Sequence, residues 1–207
     1  YVMQFRENTP IDIDLDSLNL AYTTFIYGDD KDGNQVELAK ISRGANRIPV
    51  SIDRIPQHVR DAFVYIEDER FYEHAGVDWK RTFGAFLNEL THGMLYDSKQ
   101  GGSTITQQLV KIVTGDKEQN MDRKMREIFR AADLEKYRTK DEILDAYLNC
   151  VGMGGSCSGV QAAALKYFGK DVSELDLAEA ACLAAIPKSP ENLNPFANKE
   201  ANRERQL

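Results

Sequence analysis

Apolar positions recur at helical spacing through most of the chain after residue 54. Val59, Ala62, Phe63 and Ile66 share one face of a segment opened by Pro56, whose fixed φ suits a first turn. Trp79, Phe83, Phe86, Leu87, Leu90 and Met94 make a second, strongly amphipathic stripe that reads either as core or as a lipid-facing surface. Gly101, Gly102, Ser103 and Thr104 break the chain and cap a third helix bearing Ile105, Leu109 and Ile112. A fourth helix is expected from about Met121 to Tyr137. Thr139 with Glu142, and Asp176 with Glu179, spell capping boxes for two more, the second stopped by Pro187. Gly152 to Gly159 reads as a loop. Before residue 54 the pattern changes: Leu20 to Tyr27 is β-prone, Gly28 to Gly33 is turn chemistry, and Gln35 to Ile41 alternates, which predicts a hairpin. The expected fold is mainly α, with a short N-terminal β-hairpin connector over residues 1–50 and a helical domain over 51–207.

Composition narrows the function classes. The chain has 207 residues, 42% of them hydrophobic and 29% charged, an ordinary globular balance. Its net charge of −7 disfavours non-specific binding of nucleic acid, although a local basic patch can still hold phosphates. No run approaches the length of a membrane-spanning helix. The chain opens on Tyr1 and closes within the helix-like run from Asn202 to Leu207, so an excised domain is expected, and the absence of an anchor says little about a longer parent. The three cysteines lack metal-ligand spacing. Cys150 and Cys157 are either a small-loop disulfide or two free thiols, and Cys182, among alanines, reads as a small core residue.

Three clusters carry candidate chemistry. Glu67 ends an apolar helix, four residues from both Phe63 and Phe71, and a carboxylate between aromatic rings would be desolvated toward a pKa useful for proton transfer. Solvated acids at a helix end explain the same residues. Gly101 to Thr104 present free N–H groups at a helix N-terminus, suited to an anion, and Gln107, Gln108 and Lys111 continue that polar face. The Gly-Lys-Ser/Thr ending of a P-loop is missing. Arg123 and Lys124 precede Glu127 by four and three residues, within a stretch (117–140) of eight basic and five acidic side chains. A surface salt-bridge ladder would look alike; a carboxylate beside two cations also suits a pyrophosphate, with or without a divalent metal. No motif places a Ser-His-Asp or Cys-His set.

In this order the segments resemble the peptidoglycan glycosyltransferase domain of bifunctional penicillin-binding proteins. Glu67, Asp68, Phe71, His74 and Gly76 match the first motif, and Gly101 to Leu109 with Lys111 match the second without a break. Arg123, Lys124 and Glu127 match the third; Lys140, Ile143, Leu144, Tyr147, Leu148 and Asn149 match the fourth. Two departures stand out. Gln119 occupies a place where relatives carry Arg, with Lys117 and Arg126 the nearest substitutes, and the loop from Gly152 to Gly159 lacks the family's aromatics. Arg203 and Arg205 begin a final Arg-rich motif.

The resemblance implies a lysozyme-like, two-lobed helical fold whose smaller, membrane-proximal lobe lies between the first two motifs, making bilayer contact by the Trp79 to Met94 stripe as reasonable as core packing. It implies polymerisation of lipid II into β-1,4 glycan strands with inversion. Glu67 would be the base for the acceptor hydroxyl. Glu127 would help the pyrophosphate leave by organising a divalent cation (Mg or Mn) or the neighbouring bases. Lys111, Arg123 and Lys124 would neutralise phosphates; Ser103, Thr104, Gln107 and Gln108, with Asp68, Phe71, His74 and Asn149, would complete substrate binding. Implied partners are the membrane, the lipid-linked strand, a C-terminal transpeptidase domain and the inhibitor moenomycin, with no nucleic acid. The implied location is the extracytoplasmic face of the cell membrane, by an N-terminal anchor absent here. A lysozyme-like hydrolase or lytic transglycosylase needs no cationic pyrophosphate site, and a non-catalytic glycan-binding module needs neither glutamate.

Overall fold

The computed structural model describes residues 15, 23–41, 46–90, 102–116, 118 and 121–207, with backbone alone at 37, 40 and 85–90. Two strands, β1 (Thr24–Asp29) and β2 (Gln35–Ile41), form the expected antiparallel hairpin, with a bulge between Ile26 and Tyr27. The turn is held by Asp30, whose carboxylate accepts from the main-chain N–H groups of Asp32 and Asn34. Eight α-helices follow among the described residues: α1 (Gln57–Asp68), α2 (Trp79–Leu90), α3 (Ile105–Thr114), α4 (Met121–Tyr137), α5 (Lys140–Cys150), α6 (Val160–Phe168), α7 (Leu177–Ala184) and α8 (Lys199–Gln206). The fold is mainly α, as the periodicity implied.

Local chemistry sets the helix ends. Thr104, Thr139 and Asp176 each close a reciprocal capping box with Gln107, Glu142 and Glu179, satisfying N–H groups that a helix start leaves open. Gly115 and Gly169 end α3 and α6 in the left-handed conformation. Pro56 sits one position earlier than expected, as the N-cap of α1.

Two elements were not foreseen. Helix α6 follows a glycine N-cap and is buried along Val160 to Ala164, so it shows neither a capping box nor an amphipathic stripe. The connector is also stitched into the domain. A short parallel pair joins β3 (Asn46–Arg47) to β4 (Cys157–Ser158), and the Asn149 side chain clamps Val50, accepting from its N–H and donating to its carbonyl at 2.9 Å each.

Helix α1 packs on α7, α3 packs on both α4 and α5, and α7 meets α8. The core fills that junction with Val59, Phe63, Ile105, Leu109, Leu144 and Tyr147. Trp79 and Phe83, one turn apart on α2, are instead 65% and 61% exposed. Met94 and the stretch 91–101, on which much of the expected smaller lobe falls, lie outside the described residues, as do the side chains of Phe86, Leu87 and Leu90. Cys150, Cys157 and Cys182 are free thiols. Among the described residues no helix is long and apolar enough to cross a membrane.

Candidate active site

Glu67 lies at the C-terminal end of α1, 8% exposed, against the N-terminal half of α3. Its Oε2 accepts from Gln108 Nε2 at 2.8 Å, and its Oε1 from Arg205 Nη2 of α8 at 2.9 Å. Tyr147 fixes which way the Gln108 amide points, because its hydroxyl donates to Gln108 Oε1 at 3.1 Å. Burial, reinforced by the nearby carboxylates of Glu67 and Asp68, pushes the Tyr147 phenol well above its usual range, so it stays a donor at any working pH. The spacing suggested a carboxylate walled by Phe63 and Phe71. Both rings are buried in the core, and the polar partners of the Glu67 carboxylate are a cation and an amide.

Asp68, the next residue, has a different task. It is fully buried, and its carboxylate gathers three donors: Arg81 Nη1 at 2.9 Å, His74 Nε2 at 3.0 Å and the main-chain N–H of Ile105 at 2.9 Å. Arg81 also donates to the Glu67 carbonyl at 3.0 Å, so one guanidinium ties α2 to the end of α1. The loop after α1 is bolted from its other side by Lys140. The ammonium pairs with Glu135 at 2.6 Å, donates to the His74 carbonyl at 2.7 Å and lies 4.5 Å over the Phe71 ring. Gly76 is required here: its φ is +82°, and a Cβ would stand 2.3 Å from the Ala131 carbonyl oxygen on α4. Its own carbonyl accepts from Thr104 Oγ1 at 2.7 Å.

Part of the expected substrate-binding set also takes part in the fold. Asp68, Phe71, Thr104 and Gln107 are fully buried; the Asp68 carboxylate and the Thr104 hydroxyl are bonded within the fold, whereas the Gln107 amide nitrogen has no partner among the described residues. His74 bonds Asp68 through Nε2 while its buried Nδ1 has no partner among the described residues, and Asn149 bonds Val50. They hold the site together. Gln107 and Gln108, neighbours in sequence, divide the work, the first capping α3 and the second reaching Glu67.

The second centre lies on α4. Glu127 is 5% exposed and accepts from Arg123 Nη1 at 2.6 Å and from Lys124 Nζ. Lys124 also donates to Ser103 Oγ at 2.9 Å, linking α4 to the turn before α3. Lys111, exposed on α3, lines the same small crevice as Arg123, Glu127 and Arg130. The sequence reading passed over Arg130, although its place three residues after Glu127 sets it on the same helix face. Arg126, one of two substitutes considered for the missing arginine, is instead engaged with Asp116 and Glu118 at 2.9 and 2.7 Å; Lys117 and Gln119 lie outside the described residues. Arg205 and Arg81 were also missed as site residues.

Among the described residues no group of three or more metal-type side chains assembles. Glu127 offers one carboxylate. It suits an ion only as a single anchor, with the remaining ligands drawn from phosphate oxygens and water, an arrangement Mg²⁺ favours. A groove of about 730 Å³ between α1, α7 and α8 is lined mostly by apolar residues, Ala62, Ile66, Leu177, Ala181 and Leu193 among them, with Lys188, Glu204 and Arg205 as its charged members.

Comparison with known proteins adds the family. Residues 34–207 match the family model described as Transglycosylase. A penicillin-binding protein 1A from Clostridium tetani is 41% identical over 199 residues, covering 96% of this chain and 25% of that protein. Penicillin-binding protein 1F from Bacillus subtilis is 43% identical over 160 residues, covering 77% of this chain and 22% of its own. The crystal structure of penicillin-binding protein 1A from Haemophilus influenzae overlays 90% of this chain and 17% of that one at 24% identity, with a TM-score of 0.45. The chain thus spans about a quarter of the length of the relatives it matches.

Proposed function

The chain belongs to the transglycosylase family, and on that premise we propose that it is a peptidoglycan glycosyltransferase, which polymerises lipid II into β-1,4 glycan strands and releases undecaprenyl diphosphate. One observation carries the reading: two nearly buried glutamates stand in unlike surroundings, Glu67 between an amide and a fixed arginine, Glu127 among the cations of α4. A glycan hydrolase needs acid and base carboxyls but gains nothing from such a cationic wall.

In this mechanism Glu67 accepts the proton of the acceptor 4-hydroxyl as that oxygen attacks the donor anomeric carbon from the face opposite the phosphate. The new glycosidic bond forms as the carbon–oxygen bond to the diphosphate breaks, the electron pair leaves on the phosphate, and the configuration inverts. Charge then builds on the diphosphate, where Lys111, Arg123, Lys124 and Arg130 meet it and Ser103 orients an oxygen. Arg123 and Lys124 are 20% and 29% exposed, so they can turn from Glu127 toward an arriving phosphate. A divalent cation, Mg or Mn, anchored by Glu127 would neutralise part of the same charge.

The aromatic pair Trp79 and Phe83, exposed one turn apart, supports contact with the bilayer that carries the lipid substrate. The longer relatives, named penicillin-binding proteins, support a transpeptidase domain in the parent and a membrane anchor on the extracytoplasmic face. Moenomycin would compete at the α4 cations.

The test is incubation with labelled lipid II, detergent and a divalent cation, with products separated by size. Wild type should yield long glycan ladders, and Glu67→Gln should lose about 10²- to 10⁴-fold in rate. Equal ladders from both would refute the base assignment, and short hydrolysed saccharides from wild type would restore the hydrolase.

A further inference from the structure

Glu67 takes its cation from the far end of the chain. Arg205 and Glu67 are 138 residues apart, and the pair is nearly dry, at 11% and 8% exposure. The helix that delivers Arg205 is itself bolted down. Asn202, one turn earlier on α8, is 1% exposed and donates from one amide nitrogen to the Cys182 carbonyl at 3.0 Å and to the Leu193 carbonyl at 2.7 Å. Asn198 caps the same helix through the Ala201 N–H. The guanidinium therefore reaches Glu67 from a base set by amide–carbonyl bonds.

A glutamate carboxylate turns easily, because its last torsion is broad. Gln108 alone, gripping Oε2, would leave that rotation open. A second donor on Oε1, from a different helix, closes it. Each oxygen keeps a further lone pair, so the carboxylate can still accept a proton from substrate.

We propose that Arg205 is a positioning residue for Glu67, fixing the aim of the base carboxylate from the last helix of the chain. The inference rests on the reading of Glu67 as base. It separates aim from binding: the cations for the diphosphate stand on α3 and α4, so loss of Arg205 should act on turnover and spare substrate affinity. A purely stabilising ion pair would act otherwise, because breaking a nearly buried pair costs stability without choosing between kcat and KM.

The experiment is steady-state polymerisation by Arg205→Ala, Arg205→Lys, Glu67→Gln and the Glu67→Gln/Arg205→Ala double variant, each assayed below its own melting transition. Arg205→Ala should lose about 10- to 100-fold in kcat, the scale of a misaimed group, with KM changed less than about twofold. Arg205→Lys keeps the charge without the planar fork and should recover part of the loss, as should free guanidinium added to Arg205→Ala. The double variant should be no slower than Glu67→Gln. Unchanged kcat in Arg205→Ala overturns the proposal, and so does a loss that neither lysine nor guanidinium restores. If Glu67→Gln itself turns over normally, the base assignment fails and takes this inference with it. A dead Glu67→Gln beside a full-speed Arg205→Ala removes the role of Arg205 alone.

Discussion

Glu127 meets both of its cations on its own helix, four and three residues back, whereas Glu67 meets its cation across 138 residues and its amide donor across 41. The two carboxylates are almost equally buried. What differs is how readily their partners can leave. Arg123 and Lys124 are long, partly exposed side chains, with Lys124 shared between Glu127 and Ser103, and both can turn toward a phosphate without unseating a helix. Arg205 and Gln108 are held by other bonds, Arg205 through the bolted α8 and Gln108 through the Tyr147 hydroxyl. The same pairing chemistry thus builds a mobile charge reserve in one place and an aimed group in the other.

That contrast implies an order of costs. The largest effect on stability should come from Asp68→Ala, because Asp68 sits beside Glu67 yet joins α1, α2 and α3 through three donors. Removing it leaves the Arg81 guanidinium without its carboxylate and the buried Ile105 N–H without an acceptor, and should cost about 3–5 kcal/mol, read as a lower urea midpoint. A loss below about 1 kcal/mol would mean that the hub is dispensable and that the two glutamates rest on similar scaffolds. Lys124→Ala should sharpen the contrast from the other side. Its pair is local and 29% exposed on the lysine, so unfolding free energy should change by less than about 1 kcal/mol while KM for the lipid-linked donor rises.

A third effect, smaller than that of Asp68→Ala, depends on pH. Burial alone would raise the Asp78 carboxyl, but the main-chain N–H of Arg81 and the Arg70 guanidinium, at 2.5 Å, outweigh it and hold the group below its ordinary value. A carboxyl lowered on folding adds stability above its unfolded pKa and loses it as the pH falls through the folded one. Asp78→Asn should therefore be less stable than wild type by about 1–2 kcal/mol at pH 7, with the gap closing below about pH 4. A gap that stays constant across that window would show that the charge of Asp78 contributes nothing.

How much of this was legible in the sequence follows the same division. The capping boxes at Thr139 and Asp176, the turn of the hairpin and the helix face shared by Arg123, Lys124 and Glu127 are short-range chemistry and were legible, whereas at Thr104 only a cap was expected and not its reciprocal partner Gln107. Glu67 and Gln108 were picked out singly, but nothing in a linear pattern says that they touch, or that Arg205 joins them. The depth at which Asp68, Phe71, Thr104, Gln107 and Asn149 lie was not legible, because spacing shows which residues share a helix face and not how far the next helix covers it. Helix α6 escaped for a related reason: buried along its first half and rich in alanine, it offers no polar–apolar alternation to detect.

The most direct test of the account is a paired titration of a non-reactive lipid diphosphate against Glu67→Gln and Lys124→Ala, with wild type as the reference. The account predicts wild-type affinity, within about twofold, for Glu67→Gln, and a loss of about tenfold or more (~1.4 kcal/mol) for Lys124→Ala. Equal losses in both variants, or a loss confined to Glu67→Gln, would contradict the division between an aimed base and a cationic phosphate site.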